Sequence, residues 1–90
     1  MRNRIYIIVL GVGFVREELT KFLDTIVEVQ DWFYSMPSSI FVVSSLGAED
    51  LYQRIQAKFG QKRFFITELS QSNRQGWMPT EHWTKIRNAR

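Results

Sequence analysis

A chain of 90 residues holds a single domain, and an apolar fraction of 44% with 14% aromatics excludes a disordered or low-complexity chain. A net charge of +3 leaves phosphate-bearing partners open, while the absence of cysteine excludes disulfides and thiolate metal sites and suits a cytoplasmic setting. The longest apolar run, Ile5 to Leu10, falls far short of the ~20 residues of a bilayer crossing and flows into Gly-Val-Gly-Phe without a cleavage pattern, so neither a membrane nor a secretory leader is expected.

Arg4 to Leu10 is aliphatic on both parities and predicts a central strand buried on two sides. From Phe14 to Val29, Leu19, Phe22, Leu23, Ile26 and Val27 fall on one helical stripe, opposite Glu17, Glu18, Lys21, Asp24 and Glu28. The aromatics of Asp31 to Met36, the turn Pro37-Ser38-Ser39 and the β-branched run Ile40 to Ser45 predict a hairpin. Gly47 to Asp50 opens a second helix with a stripe of Ala48, Leu51, Tyr52, Ile55 and Phe59, and Gly60 caps it. Lys62 to Leu69 is a fourth strand, with Phe64 and Ile66 on one face and Phe65, Thr67 and Leu69 on the other. Ser70 to Gln75 is a polar loop, and Met78-Pro79-Thr80-Glu81 starts a short helix that Trp77, Trp83 and Ile86 can dock.

The order β-α-β-β-α-β predicts an α+β, ferredoxin-like domain with a four-stranded antiparallel sheet, a core over about 4–69 and a tail over 70–90. Right-handed crossovers place strands one and three centrally and both helices on one face. Strands one and three, and largely strand four, are nevertheless apolar on both parities. About six large side chains on the second face, left in water, would forgo on the order of 10 kcal/mol. A second copy, the Trp77–Ile86 tail or stacked nucleic acid can serve as cover; a dimer, with or without exchange of the tail, explains the pattern best.

Ile5-Tyr6-Ile7-Ile8-Val9, Trp32-Phe33-Tyr34 with Ser39-Ile40-Phe41-Val42-Val43, Leu46 to Leu51, Phe64 to Leu69 and the closing Gly76-Trp77-Met78-Pro79 with Trp83 carry a family resemblance. Over nearly its whole length the chain resembles the ferredoxin-like CRISPR-associated and virulence-associated small proteins. These include the second core Cas protein, the virulence-associated protein D toxins and short SinR-type relatives. The resemblance implies a homodimer through the sheet faces, with the C-terminal segment embracing the partner. Nucleases of the family carry an aspartate at the end of strand one that holds a divalent metal across the dimer. Here the strand ends Val9-Leu10-Gly11-Val12-Gly13, with no acid until Glu17.

Other chemistry is thinly represented. Gly11-Val12-Gly13 lacks the third small residue of a dinucleotide loop, where Arg16 stands, and fits a plain strand-to-helix turn. His82, the one histidine, is expected on a surface helix, and Glu68 as an edge-strand carboxylate. The segment Arg16–Asp31 is acidic, whereas Lys62–Arg90 carries six bases against Glu68 and Glu81. The expected function is thus a non-catalytic homodimeric assembly or adaptor module, with no cofactor or metal. Arg63, Arg74, Lys85, Arg87 and Arg90 are the candidates for contact with DNA or RNA, and Trp77, Met78, Trp83 and Ile86 for the dimer or tail interface. A partner other than a second copy or nucleic acid is the further option. The alternative function is a divergent metal-dependent endonuclease, with Glu17 as substitute ligand and an activity that Glu17→Ala or Glu68→Ala would abolish.

Overall fold

The computed structural model describes residues 3–69 and 75–88. In chain order the elements are β1 (Arg4–Leu10), α1 (Arg16–Leu23), β2 (Val29–Phe33), β3 (Ser39–Ser44), α2 (Ala48–Phe59), β4 (Phe64–Glu68) and α3 (Thr80–Asn88). The four strands form one sheet in the order β2-β3-β1-β4, with every neighbouring pair antiparallel. The result, among the described residues, is an α+β architecture with an open sheet and three helices, compatible with a ferredoxin-like fold. The two most aliphatic strands, β1 and β3, lie in the centre as expected, because only central strands bury both edges and both faces.

Residue parity divides the sheet into two apolar faces. Tyr6, Ile8 and Leu10 of β1, with Ile40 and Val42 of β3, pack against Leu19 and Leu23 of α1 and Leu51 and Ile55 of α2. Phe14 closes this core at the head of α1, its ring 4.8 Å from Phe59 and 6.0 Å, edge-on, from Phe64. Tyr6 is completely buried, so its hydroxyl requires a partner; it donates to the Leu46 carbonyl at 2.7 Å. On the opposite face, Ile5, Phe33, Phe41 and Val43 form a second cluster with Ile86 of α3. The molecule is therefore three-layered, with α1 and α2 beneath the sheet and α3 above it.

Helix α1 ends at Leu23, six residues short of the predicted limit. Asp24 and the β-branched run Thr25-Ile26-Val27 are weak helix formers, and the Thr25 hydroxyl donates back to the Phe22 carbonyl at 2.6 Å. Ile26 still reaches the core, but Val27 is 85% exposed. Val29 belongs instead to β2, opposite Ser44, and a bulge between Val29 and Asp31 resets the register. The segment 26–29 is fastened elsewhere: Ser44 Oγ donates to the Glu28 carbonyl at 2.9 Å, and Arg54 of α2 pairs with the Glu28 carboxylate at 3.0 Å. Glu28's own backbone N–H, and then Arg54, hold that half-buried carboxylate below its ordinary pKa of 4.5. Helix α2 matches its expected span and ends at Gly60, whose φ of 69° is positive as expected, although its ψ of −123° lies outside the left-handed helical region of the predicted cap.

Candidate functional site on the open face of the sheet

The open face presents Ile5, Ile7 and Val9 of β1, Phe41 and Val43 of β3, Phe33 of β2, and Phe65 and Thr67 of β4, because these share one parity in the ladders. Helix α3 lies over the β2-β3 side of this surface. Ile86 is buried against it, while Met78 and Trp83 pack at its margin together with Ile7 and Leu69. Phe33 and Phe41, cross-strand partners, stack with centroids 5.0 Å apart. His82 lies over Phe33 at 5.4 Å and its Nδ1 meets Ser35 Oγ. Lys85 reaches Asp31 at 3.5 Å and the Phe33 ring at 5.2 Å. Helix α3 is thus fixed by a buried aliphatic anchor with polar contacts along one flank.

The β4 side of the face is left open. Val9 is 43% exposed and Phe65, directly opposite it, 63%. Between this strip and the tail runs a groove of about 240 Å³, floored by Ile7, Phe41 and Ile86 and edged by Met36, Leu69 and Trp83. Trp77, at the start of the tail, stands at its margin with 90% of its surface exposed. Of the expected interface residues, the structure ties Met78, Trp83 and Ile86 to the chain's own sheet and leaves Trp77 outside.

The basic candidates are dispersed. Arg63 precedes β4 at the Leu10 end of β1, since Leu10 pairs with Phe64. Lys85 lies near the other end, because its partner Asp31 is opposite Val43, which is opposite Ile5. Six residues of strand separate the two positions, about 20 Å. Arg87 is exposed on α3 and its guanidinium contacts the Thr84 hydroxyl at 3.3 Å. Arg74 and Arg90 lie outside the described residues.

At the end of β1, Gly11 N–H donates to the Arg63 carbonyl at 2.8 Å. A Cβ on Gly11 would meet the Arg63 Cβ at 2.8 Å and that carbonyl oxygen at 3.0 Å. The turn's left-handed residue is Gly13, with φ of 89°. Glu17 is exposed in the first turn of α1. Glu68 is exposed on β4 opposite Tyr6, where it contributes, after hydrogen bonding and charge interaction with Tyr6, to raising the Arg4 pKa. Among the described residues no three His, Asp or Glu side chains are grouped as metal ligands, and no helix is long and apolar enough to cross a membrane.

Several contacts lay beyond sequence reasoning. Arg16 sits with its guanidinium 3.5 Å from the Tyr34 ring centroid and donates to the Met36 and Pro37 carbonyls at 2.9 Å. It thereby secures the β2–β3 turn that carries Met36 to the groove. No periodicity links Arg16 to Tyr34, so only the tertiary fold shows the contact. Compared with known proteins, the chain matches no family model, no curated protein and no solved structure.

Proposed function

We propose that this chain is a non-catalytic, homodimeric assembly module of ferredoxin-like fold, with the open strip of the sheet as its interface. The strand order β2-β3-β1-β4, with both crossover helices on one face, supports the ferredoxin-like assignment. The assembly reading rests on one observation: after α3 has docked, Val9, Phe65 and Trp77 still project into solvent beside an apolar groove. A contiguous apolar patch on a small domain marks an interaction surface, and two-fold pairing is the commonest closed way to cover one. The endonuclease alternative finds less support, because β1 ends on Leu10 with no acid before Glu17, and Arg63 crowds the position of the following Gly11.

Light scattering on the purified chain across a concentration series tests the proposal. The expected mass is twice 10.7 kDa, falling on dilution. A mass that stays at the monomer value up to millimolar concentration would overturn it.

A further inference from the structure

The exposed Trp77 and the groove beside it form one patch that carries both a projecting knob and a hole. We infer that in the homodimer proposed above, on which this inference rests, Trp77 of each copy inserts into the groove beneath the other copy's tail.

Trp77 is the most exposed aromatic side chain among the described residues, at 90%, although it adjoins Met78, which packs against the second core cluster. An indole gains most from burial among apolar groups, and tryptophan recurs as a central anchor of interfaces. In its own chain Trp77 is part of the groove's margin, beside Gly76 and Met78, and leaves the groove open. A two-fold interface requires a self-complementary surface in which residue i meets residue j and j meets i. A knob and a hole side by side meet that requirement, whereas a foreign partner would need only one of them.

Charge selects the same occupant. Among the described residues, none of the ten that line the groove is charged. Each copy carries +3, so like copies approach most readily where no cations face one another. A nucleic-acid strand would find no counter-charge among these ten residues for its phosphates. Met36 and Met78 provide adaptable thioether contacts for an entering ring. The groove is also continuous with the wider exposed strip, since Ile7 precedes Val9 on the same face of β1 and Val9 is opposite Phe65.

Sedimentation equilibrium on three chains tests the insertion: wild type, Trp77→Ala (knob removed) and Met36→Lys (hole obstructed). Both positions are exposed, so unchanged circular dichroism is expected for each variant. The wild type should dimerise, and each variant alone should do so on the order of 100-fold more weakly. An equimolar mixture of the two variants should recover a heterodimer, because Trp77 of the Met36→Lys chain still finds on the Trp77→Ala chain a groove that has lost only one marginal side chain and keeps its floor of Ile7, Phe41 and Ile86. A dimer unaffected by Trp77→Ala, or a mixture that associates no better than its components, overturns the insertion and leaves the homodimer standing. A monomeric wild type overturns both. A single-stranded oligonucleotide that quenches wild-type tryptophan emission but not that of Trp77→Ala would assign the knob to nucleic acid and likewise overturn the inference.

Discussion

At the end of β1 the chain requires a residue without a Cβ. The Gly11 amide is hydrogen-bonded to Arg63, and the space a side chain would enter is filled by the Arg63 backbone and Cβ. From Leu10 to Gly13 the sequence carries no acid. The structure adds that the position has closed around the glycine. Placing an acid there with Gly11→Asp should therefore displace the start of β4 and destabilise the fold by about 1–3 kcal/mol, the usual range for overpacking. It should confer no cleavage of RNA or DNA with Mg2+ or Mn2+. Urea denaturation and a gel assay read the two halves of this prediction separately. A variant as stable as wild type that cleaves in a metal-dependent way would show the close approach to be no barrier.

Between elements, the decisive relation is that of α3 to the sheet. Excess apolar residues on both parities of β1 and β3 required a cover, and that requirement was legible in the sequence because a two-residue period sorts every strand residue to a face. Which molecule covers which part was not legible: the pattern pointed first to a second copy, but helical spacing alone does not say whether Met78, Trp83 and Ile86 dock within the chain or across a dimer. Helix α3 takes the side over Phe33, Phe41 and Val43 through Ile86, which is 1% exposed. Truncation by Ile86→Ala should cost about 2–4 kcal/mol, the ordinary range for a buried isoleucine. It should also open the tail to proteolysis ahead of Thr80. Val27→Ala, at a site the stripe of α1 placed in the core and the structure places in solvent, should stay within about 0.5 kcal/mol of wild type. Equal urea midpoints for the two variants would mean that α3 does not rest on the sheet. The misplaced Val27 has its own lesson: helical spacing continued through Thr25-Ile26-Val27, but β-branched side chains and a threonine back-bond ended the helix first.

For the whole molecule, the distribution of charge matters more than its sum. The excess of bases after Lys62 suggested a footprint for phosphates, yet the fold separates the candidates it describes. Arg63 stands at the Leu10 end of the sheet, while Lys85 near the opposite end is engaged by Asp31 at 3.5 Å. A polyanion bound at a convergent site releases one set of counterions per neutralised phosphate, so the logarithm of its affinity falls with that of salt at about 0.9 per contact on duplex DNA. Dispersed cations engage few phosphates at once. The expected result with a labelled 20-base-pair duplex is a shift seen only at low salt, with a slope no steeper than about −2. Arg63→Ala and Lys85→Ala should each change it by less than one contact's worth. A slope near −5 that either substitution reduces by about 1 would mean that these side chains converge on the nucleic acid after all. A dimer offers one route to such convergence, because a two-fold axis places a second Arg63 and a second Lys85 on the same particle. The slope is therefore to be measured on wild type and on a dissociated variant together: a steep slope confined to the dimer would make assembly the means by which this chain gathers its charge.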